Sequence, residues 1–274
     1  MQYSFLTSVY KNTKADEMRE CVKSMEEQTV KPEQIVIVLD GEINVALQEY
    51  INELKTAKPD LYTVVPLEQN VGLGNALKEG IMHCRNEIVA RMDTDDICVL
   101  DRCEKQLACF EKDPDLSIVG ADIAEFDTSI DNIVSYRKVP SSHEEICEYL
   151  KKRCPLNHMT VTFKKSEVIK AGNYQHWHYN EDSYLWARMY LAGCKFLNLP
   201  EVLVYARIDT DTFKRRGGYK YYKSERDLFK FMYKNKIIGF FAYQKAKFIR
   251  FVVQVLMPNG MRQWFFKKFA RSDK

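Results

Sequence analysis

Along the first ninety positions, short runs of β-branched and apolar residues alternate with longer stretches in which apolar side chains return every three or four positions. The runs predict strands over residues 3–9, 34–39, 61–66 and 87–92. The stretches predict helices over 15–28, 45–57 and 71–84, the first opened by a T-x-x-D start at Thr13 and Asp16 and the third capped by Asn70. Strand and helix alternating at this spacing predict an α/β fold around a mostly parallel sheet with helices on both faces. Ligands of such sheets sit at the carboxyl ends of the strands.

Beyond Asp96 the rhythm loosens into a mixed α+β pattern. Helices are predicted over 101–111, 144–152, 166–171 and 182–192, strands over 116–121 and 160–163, and extended segments over 195–198 and 202–207. Residues 127–140 read as a hairpin or loop. The polar stretch 209–218, ending Arg215-Arg216-Gly217-Gly218, is the best boundary, and it divides a domain of residues 1–210 from a region of residues 211–274. No internal repeat is present.

Composition excludes a disordered or low-complexity chain: 46% of the 274 residues are hydrophobic, 29% are charged, and there are only 11 Gly and 8 Pro. Charge changes the picture more. Residues 213–274 hold 17 Lys and Arg against 3 Asp and Glu (+14), while residues 1–212 hold 24 against 35 (−11). The same 62-residue tail carries 16 of the 34 aromatic residues, a density that points to a partner both apolar and anionic. The eight cysteines form no C-x-x-C pair, and the N-terminus lacks the basic start and cleavage site of a secretory signal. Reduced thiols and a cytoplasmic location are expected.

The sharpest chemical signal is Arg91-Met92-Asp93-Thr94-Asp95-Asp96 at the end of an apolar strand. Three carboxylates so close repel one another, and oxygen donors at a strand end suit a hard cation such as Mg²⁺ or Mn²⁺. The spacing equally fits a solvated acidic turn. Asp40-Gly41 ends the second strand, where the carboxylate is positioned to accept hydrogen bonds from a base or ribose or simply to make a turn. Asn70-Val71-Gly72-Leu73-Gly74-Asn75 opens a helix whose free N–H groups and small residues allow close approach of a nucleotide, although it is not a G-x-G-x-x-G motif. Glu181-Asp182 opens another helix, as favourable charges for its dipole or as a general base. The aromatic set Tyr174, Trp177, Tyr179 and Trp186 fits core packing or a sugar platform alike.

Taken together, Ser8-Val9-Tyr10, Asp40-Gly41, Asn70-x-Gly72, Arg91-x-Asp93-x-Asp95-Asp96 and Glu181-Asp182-x-x-Leu185-Trp186 resemble, in order and spacing, the inverting family 2 glycosyltransferases of the GT-A fold. The resemblance spans roughly residues 3–207 and is nearest to bacterial enzymes of capsule, O-antigen or exopolysaccharide synthesis. It implies that Ser8, Tyr10 and Asp40 hold the uridine end of a nucleotide-sugar donor. Asn70, Gly72 and Asn75 would line the nucleotide pocket, and Arg91, Asp93, Arg215 and Arg216 would also serve the donor. Asp93 and Asp95 would hold Mn²⁺ or Mg²⁺ against the diphosphate. Asp182 would be the base, with Glu181 supporting it or binding the acceptor, a lipid-linked saccharide; His158 and Trp186 are acceptor candidates that fit a structural role equally well. Asn173 stands where the family has a second Gly, and the absence of Q-x-x-R-W argues against a processive polymerase.

On a helical wheel of residues 237–257, Ile238, Phe241, Ala242, Phe248, Ile249, Val252 and Leu256 share one face, and Lys236, Lys247, Arg250 and Gln254 the other. The longest uncharged run, 251–261, is too short for a span of roughly 20 residues. An amphipathic helix lying on an anionic membrane is expected, peripheral on the inner face of a bacterial plasma membrane, with packing against the catalytic domain as the alternative. Nucleic acid is not expected as a partner, because the apolar residues keep helical spacing. Two other functions stay in play: a sugar-nucleotide-forming nucleotidyltransferase, and a non-catalytic membrane adaptor.

Overall fold

Six residues explain the centre of the molecule. Gln34–Leu39 (QIVIVL) alternates Ile35, Ile37 and Leu39 into one apolar layer with Val36 and Val38 into another, and all six are buried. A strand buried on both faces reads as an unbroken apolar run because neither side meets water. This strand, β2, lies beside β1 (Tyr3–Val9), and both are parallel to β3 (Tyr62–Pro66) and β4 (Ile88–Arg91). The computed structural model describes residues 1–208, 217–258 and 260–262.

The nine-stranded sheet runs β3-β2-β1-β4-β8-β6-β9-β5, with β7 paired to β6. Here β5 is Ile97–Cys98, β6 Leu116–Phe126, β7 Ile133–Arg137, β8 Thr162–Lys164 and β9 Lys195–Arg207. The expected parallel arrangement holds for β1 to β4 and for β6 with β9. Elsewhere the pairs are antiparallel, since β8 inverts the direction between β4 and β6. Residues 127–140 contribute β7 as the return arm of a hairpin on β6. The two extended segments expected at 195–198 and 202–207 are one strand, whose register shifts against β6 take up the irregularity between them.

Helices α1 (Ala15–Glu26), α2 (Val45–Ala57) and α4 (Arg102–Lys112) cover one face of the sheet. The other is covered by α3 (Leu73–His83), α5 (His143–Leu150), α6 (Lys165–Lys170) and α7 (Glu181–Leu191). Two expected caps differ. Lys14 occupies the cap position of α1 without a side-chain bond, while Thr13 Oγ1 instead accepts from Tyr10 N–H at 3.1 Å. Gly72, not Asn70, caps α3, because Asn70 is turned toward Asp40.

The tail forms α8 (Tyr219–Lys234), α9 (Phe240–Phe251) and a π-helical turn, Val252–Leu256. Leu228, Phe229, Met232, Ile237 and Ile238 join the same buried cluster as Trp186 and Leu185. These tail residues therefore share one core with residues on the other side of the boundary expected at 210/211. Along α9 and the π-helical turn, the side facing the body carries Tyr243 and Ala246, which pack on this core, Arg250, which pairs with Glu225 at 3.0 Å and lies over the Phe229 ring, and the buried Gln254. Phe241 is 86%, Phe248 68% and Leu256 62% exposed. A helix packed on a protein usually turns its large apolar residues inward, and here several of them are left outside.

Candidate active site

The carboxyl ends of β2, β1 and β4, neighbours in the sheet, open together into a cavity of about 590 Å³. Ser8 is near the end of β1 and Tyr10 follows it, Asp40 follows β2, and Asp93, Asp95 and Asp96 follow β4, and all six line the cavity. Asn70 and Gly72 line it from the loop before α3, and Glu181 from the first residue of α7.

Asp40 is committed to that loop. Its carboxylate accepts from the Val71 N–H at 2.6 Å, the Gly72 N–H at 3.1 Å and the Asn70 side-chain amide at 3.0 Å. Gly41 makes the turn possible: its φ is +80°, and a Cβ there would sit 2.5 Å from the Asn70 nitrogen. Asp40 therefore shapes the wall formed by residues 70–72 as well as lining the cavity itself. Gly74 has a different role from the one expected. A Cβ there would lie 2.6 Å from the Gln175 carbonyl oxygen and 3.1 Å from Glu181 Cβ, so the close approach it allows is to the loop leading into α7. Asn75 bonds back to the Val71 carbonyl at 3.1 Å and does not line the cavity.

The acidic residues Asp93, Asp95 and Asp96 bring one ligand oxygen each within 4.8 Å of the others. Desolvation by the surrounding protein and the neighbouring Asp93 carboxylate raise the exposed Asp95 to about 6, and full burial and Asp95 push Asp96 well above the carboxylate range. Asp96 Oδ2 is buried with no hydrogen-bond partner among the described residues. Clustered anionic oxygens, one of them orphaned, fit a hard divalent cation.

Cations hold this cluster from two sides. Arg91 is buried beneath it and donates through Nη2 to Asp93 Oδ1. It supports a cavity residue without lining the cavity. Arg207, at the end of β9, donates its backbone N–H to Asp96 Oδ1 at 2.9 Å and its Nε to the Asp95 carbonyl at 3.1 Å, and its Nη2 reaches Glu20 on α1. Sequence reading missed Arg207, which lies 111 positions from Asp96; a cation ending a strand near a boundary was the available signal. Arg215 and Arg216 lie outside the described residues.

The acidic pair of α7 divides. Glu181 lines the cavity, and burial and the adjacent Asp182 carboxylate raise it to about 7. Asp182 does not line it: Oδ1 accepts from the Ser183 N–H at 2.6 Å and Oδ2 from the Cys154 thiol at 3.4 Å. Two expected acceptor residues are placed otherwise. Trp186 is fully buried, packed edge-on against His158 at 5.9 Å, and His158 Nε2 is 3.0 Å from the Tyr174 hydroxyl. Burial and the nearby Arg91 keep His158 neutral. Trp186 is a core group because α7 turns it into the apolar layer, His158 is half-buried against it and Tyr174, and neither lines the cavity; of the aromatic set only Tyr179 does.

The chain is similar to known proteins along its whole length. It is 36% identical over 266 residues to the amylovoran biosynthesis glycosyltransferase AmsE of Erwinia amylovora, covering 97% of this chain and 98% of that one. It is 32% identical over 273 residues to the Escherichia coli UDP-Gal:alpha-D-GlcNAc-diphosphoundecaprenol beta-1,3-galactosyltransferase, covering 98% and 97%. The mannosyltransferase PcManGT of Pyrobaculum calidifontis, solved with GDP-Man and Mn²⁺, superposes with a TM-score of 0.63 at 14% identity over 95% of this chain and 71% of that one, a likeness of fold. Since the sequence profile described as Glycosyl transferase family 2 matches residues 4–167, and full-length relatives share more than 30% identity, the α/β sheet and its acidic strand end are those of the GT-A fold, and the chain belongs to glycosyl transferase family 2.

Proposed function

We propose that this protein transfers one sugar, with inversion and without processivity, from a nucleoside-diphosphate donor to a lipid-linked saccharide during surface polysaccharide assembly. One observation carries the reading: the acidic cluster after β4, the Ser8, Tyr10 and Asp40 strand ends, and Glu181 all line one cavity. A uridine diphosphate sugar is the donor class favoured, in keeping with the Escherichia coli relative.

Asp93 and Asp95, with Asp96 beside them, would hold Mn²⁺ or Mg²⁺, which supplies positive charge against the diphosphate. Ser8, Tyr10, Asn70 and Gly72 position the nucleoside. Arg207 keeps the acidic loop in place, and Arg215 and Arg216 are proposed as further cations toward the phosphates. The acceptor hydroxyl oxygen attacks the anomeric carbon, the bond from that carbon to the diphosphate breaks, and the hydroxyl proton passes to a carboxylate. The resemblance gives the proton to Asp182; the geometry favours Glu181, which faces the cavity and titrates near neutral pH, as an efficient general base should.

The acceptor would arrive along an anionic membrane. Among the described residues no helix is long and apolar enough to cross one. The outward Phe241, Phe248 and Leu256 together with the tail's +14 charge favour α9 lying in the interface of the cytosolic leaflet.

The deciding experiment screens sugar nucleotides with the purified protein, vesicles and manganese. Release of nucleoside diphosphate supports the reading. Release of pyrophosphate from a nucleoside triphosphate and a sugar phosphate identifies a nucleotidyltransferase, and binding without turnover across the screen identifies an adaptor.

A further inference from the structure

Part of the cavity lining comes from the tail. Tyr179, in the loop before α7, and Tyr221, in the first turns of α8, both line the cavity beside Glu181. Their rings lie 6.3 Å apart at 47°. Tyr179 is 54% exposed and has a φ of +57°, a left-handed backbone that an aromatic residue adopts only when its surroundings hold it there.

Those surroundings are specific. Ser224, one turn along α8 from Tyr221, donates its hydroxyl to the His178 carbonyl at 2.6 Å and accepts from the Asn180 amide at 3.1 Å. Its carbonyl accepts from Trp177 Nε1 at 3.1 Å. Thus the residues on both sides of Tyr179 are fastened to the helix that carries Tyr221, so the two rings are brought together without a ligand. A preformed pair of phenol rings at the mouth of a polar cavity costs little ordering entropy on binding. Each ring offers an apolar face and a polar tip, the combination that suits a pyranose, with C–H groups on one face and hydroxyls at its rim.

From this geometry we infer that Tyr179 and Tyr221 form the subsite for the acceptor's terminal pyranose and present one of its hydroxyls to Glu181. The inference rests on the transfer reading above. It assigns the pair to the acceptor, not the donor, because α8 continues into the exposed apolar face of α9, the side from which a lipid-linked sugar would approach.

The test is saturation-transfer NMR on the full chain with UDP and Mn²⁺, using methyl glycosides of glucose, galactose, N-acetylglucosamine and N-acetylgalactosamine as probes. At least one glycoside should bind. Tyr179→Ala and Tyr221→Ala should each weaken it roughly tenfold, which is about 1.4 kcal/mol, while Tyr179→Phe and Tyr221→Phe retain it and every variant keeps wild-type UDP affinity and melting temperature. Undiminished glycoside binding in both Ala variants overturns the subsite, as does UDP binding with no glycoside bound by the wild type. Failure to bind UDP as well would instead sink the transfer reading beneath it.

Discussion

Replacing Phe241, Phe248 and Leu256 together by Ser should detach the protein from anionic vesicles while leaving it folded. Their side chains are 86%, 68% and 62% exposed, so nearly all of the change falls on surface that touches water rather than core. Fully burying one such side chain is worth about 2 kcal/mol. Scaled by the exposed fractions, the three together offer roughly 4 kcal/mol if the interface covers them, or about 10³ in partition coefficient. Electrostatic attraction adds about 1 kcal/mol for each Lys or Arg near the lipid, and Lys245 is exposed on the same helix. The two contributions separate by salt, which screens the second and spares the first. Flotation with phosphatidylglycerol-containing vesicles at low and high salt is the assay. Wild type should remain largely bound at high salt, and the triple variant should be lost from vesicles there with an unchanged melting temperature. If the variant floats like wild type at both salts, the apolar face is not what meets the lipid and the argument from its exposure is wrong.

Asp95→Ala should weaken manganese-dependent donor binding at least about 10²-fold, the upper range seen for merely supporting groups around a metal; isothermal titration with and without chelator measures it, and equal affinities would refute the cation site. Glu181→Gln should cut transfer at least about 10²-fold with donor binding intact, and a larger loss in Asp182→Asn would return the base to Asp182. Gly74→Ala gains up to about 1 kcal/mol of helix propensity but must push back the Gln175 carbonyl and Glu181, so turnover should fall while the melting temperature moves little; unaltered kinetics would show that the contact is slack. A base near 7 must be ionised to act, so transfer should rise with pH and level off above about 7. The same raised carboxylates, Asp95 and Glu181, favour the folded protein when protonated: their contribution is complete below about 4 and is lost as pH rises through about 6 to 7. Without metal, the melting temperature should therefore fall between pH 5 and 8, and a rise over that interval would contradict these shifts.

What could be read from the sequence was whatever one strand or helix decides by itself. The run 34–39 is buried on both faces and looked it, the acidic residues after β4 stand at a strand end, and Phe241, Phe248 and Leu256 of the apolar wheel face point outward, although Ile238 of that face is buried. Features decided by distant partners were not legible. Asn70 resembles a helix cap, yet Asp40, thirty residues away, claims its side chain. Trp186 sits in a motif that suggests contact with a sugar, but the apolar layer takes the indole because α7 packs that side inward. Arg207 and Tyr221 reach the cavity only through the parallel pairing of β9 with β6 and the docking of α8. The helical pattern expected over 237–257 is realised as α9 and the π-helical turn after it, while Ile238, expected on the outward apolar face, precedes α9 and is buried with Ile237; the Arg250–Glu225 pair fixes which side of α9 meets the body.

The fastening of α8 to residues 177–180 through Ser224 bears on how such enzymes diverge and how they can be recombined. A chimaera joined near position 210 exchanges more than a membrane address. It imports a new Tyr221 position against a resident Tyr179, and foreign partners for Leu185 and Trp186 in place of Leu228, Phe229 and Met232. Changes on α8 and in the loop before α7 should accordingly be inherited as a unit, and grafts that carry both segments should keep activity where tail-only grafts lose it.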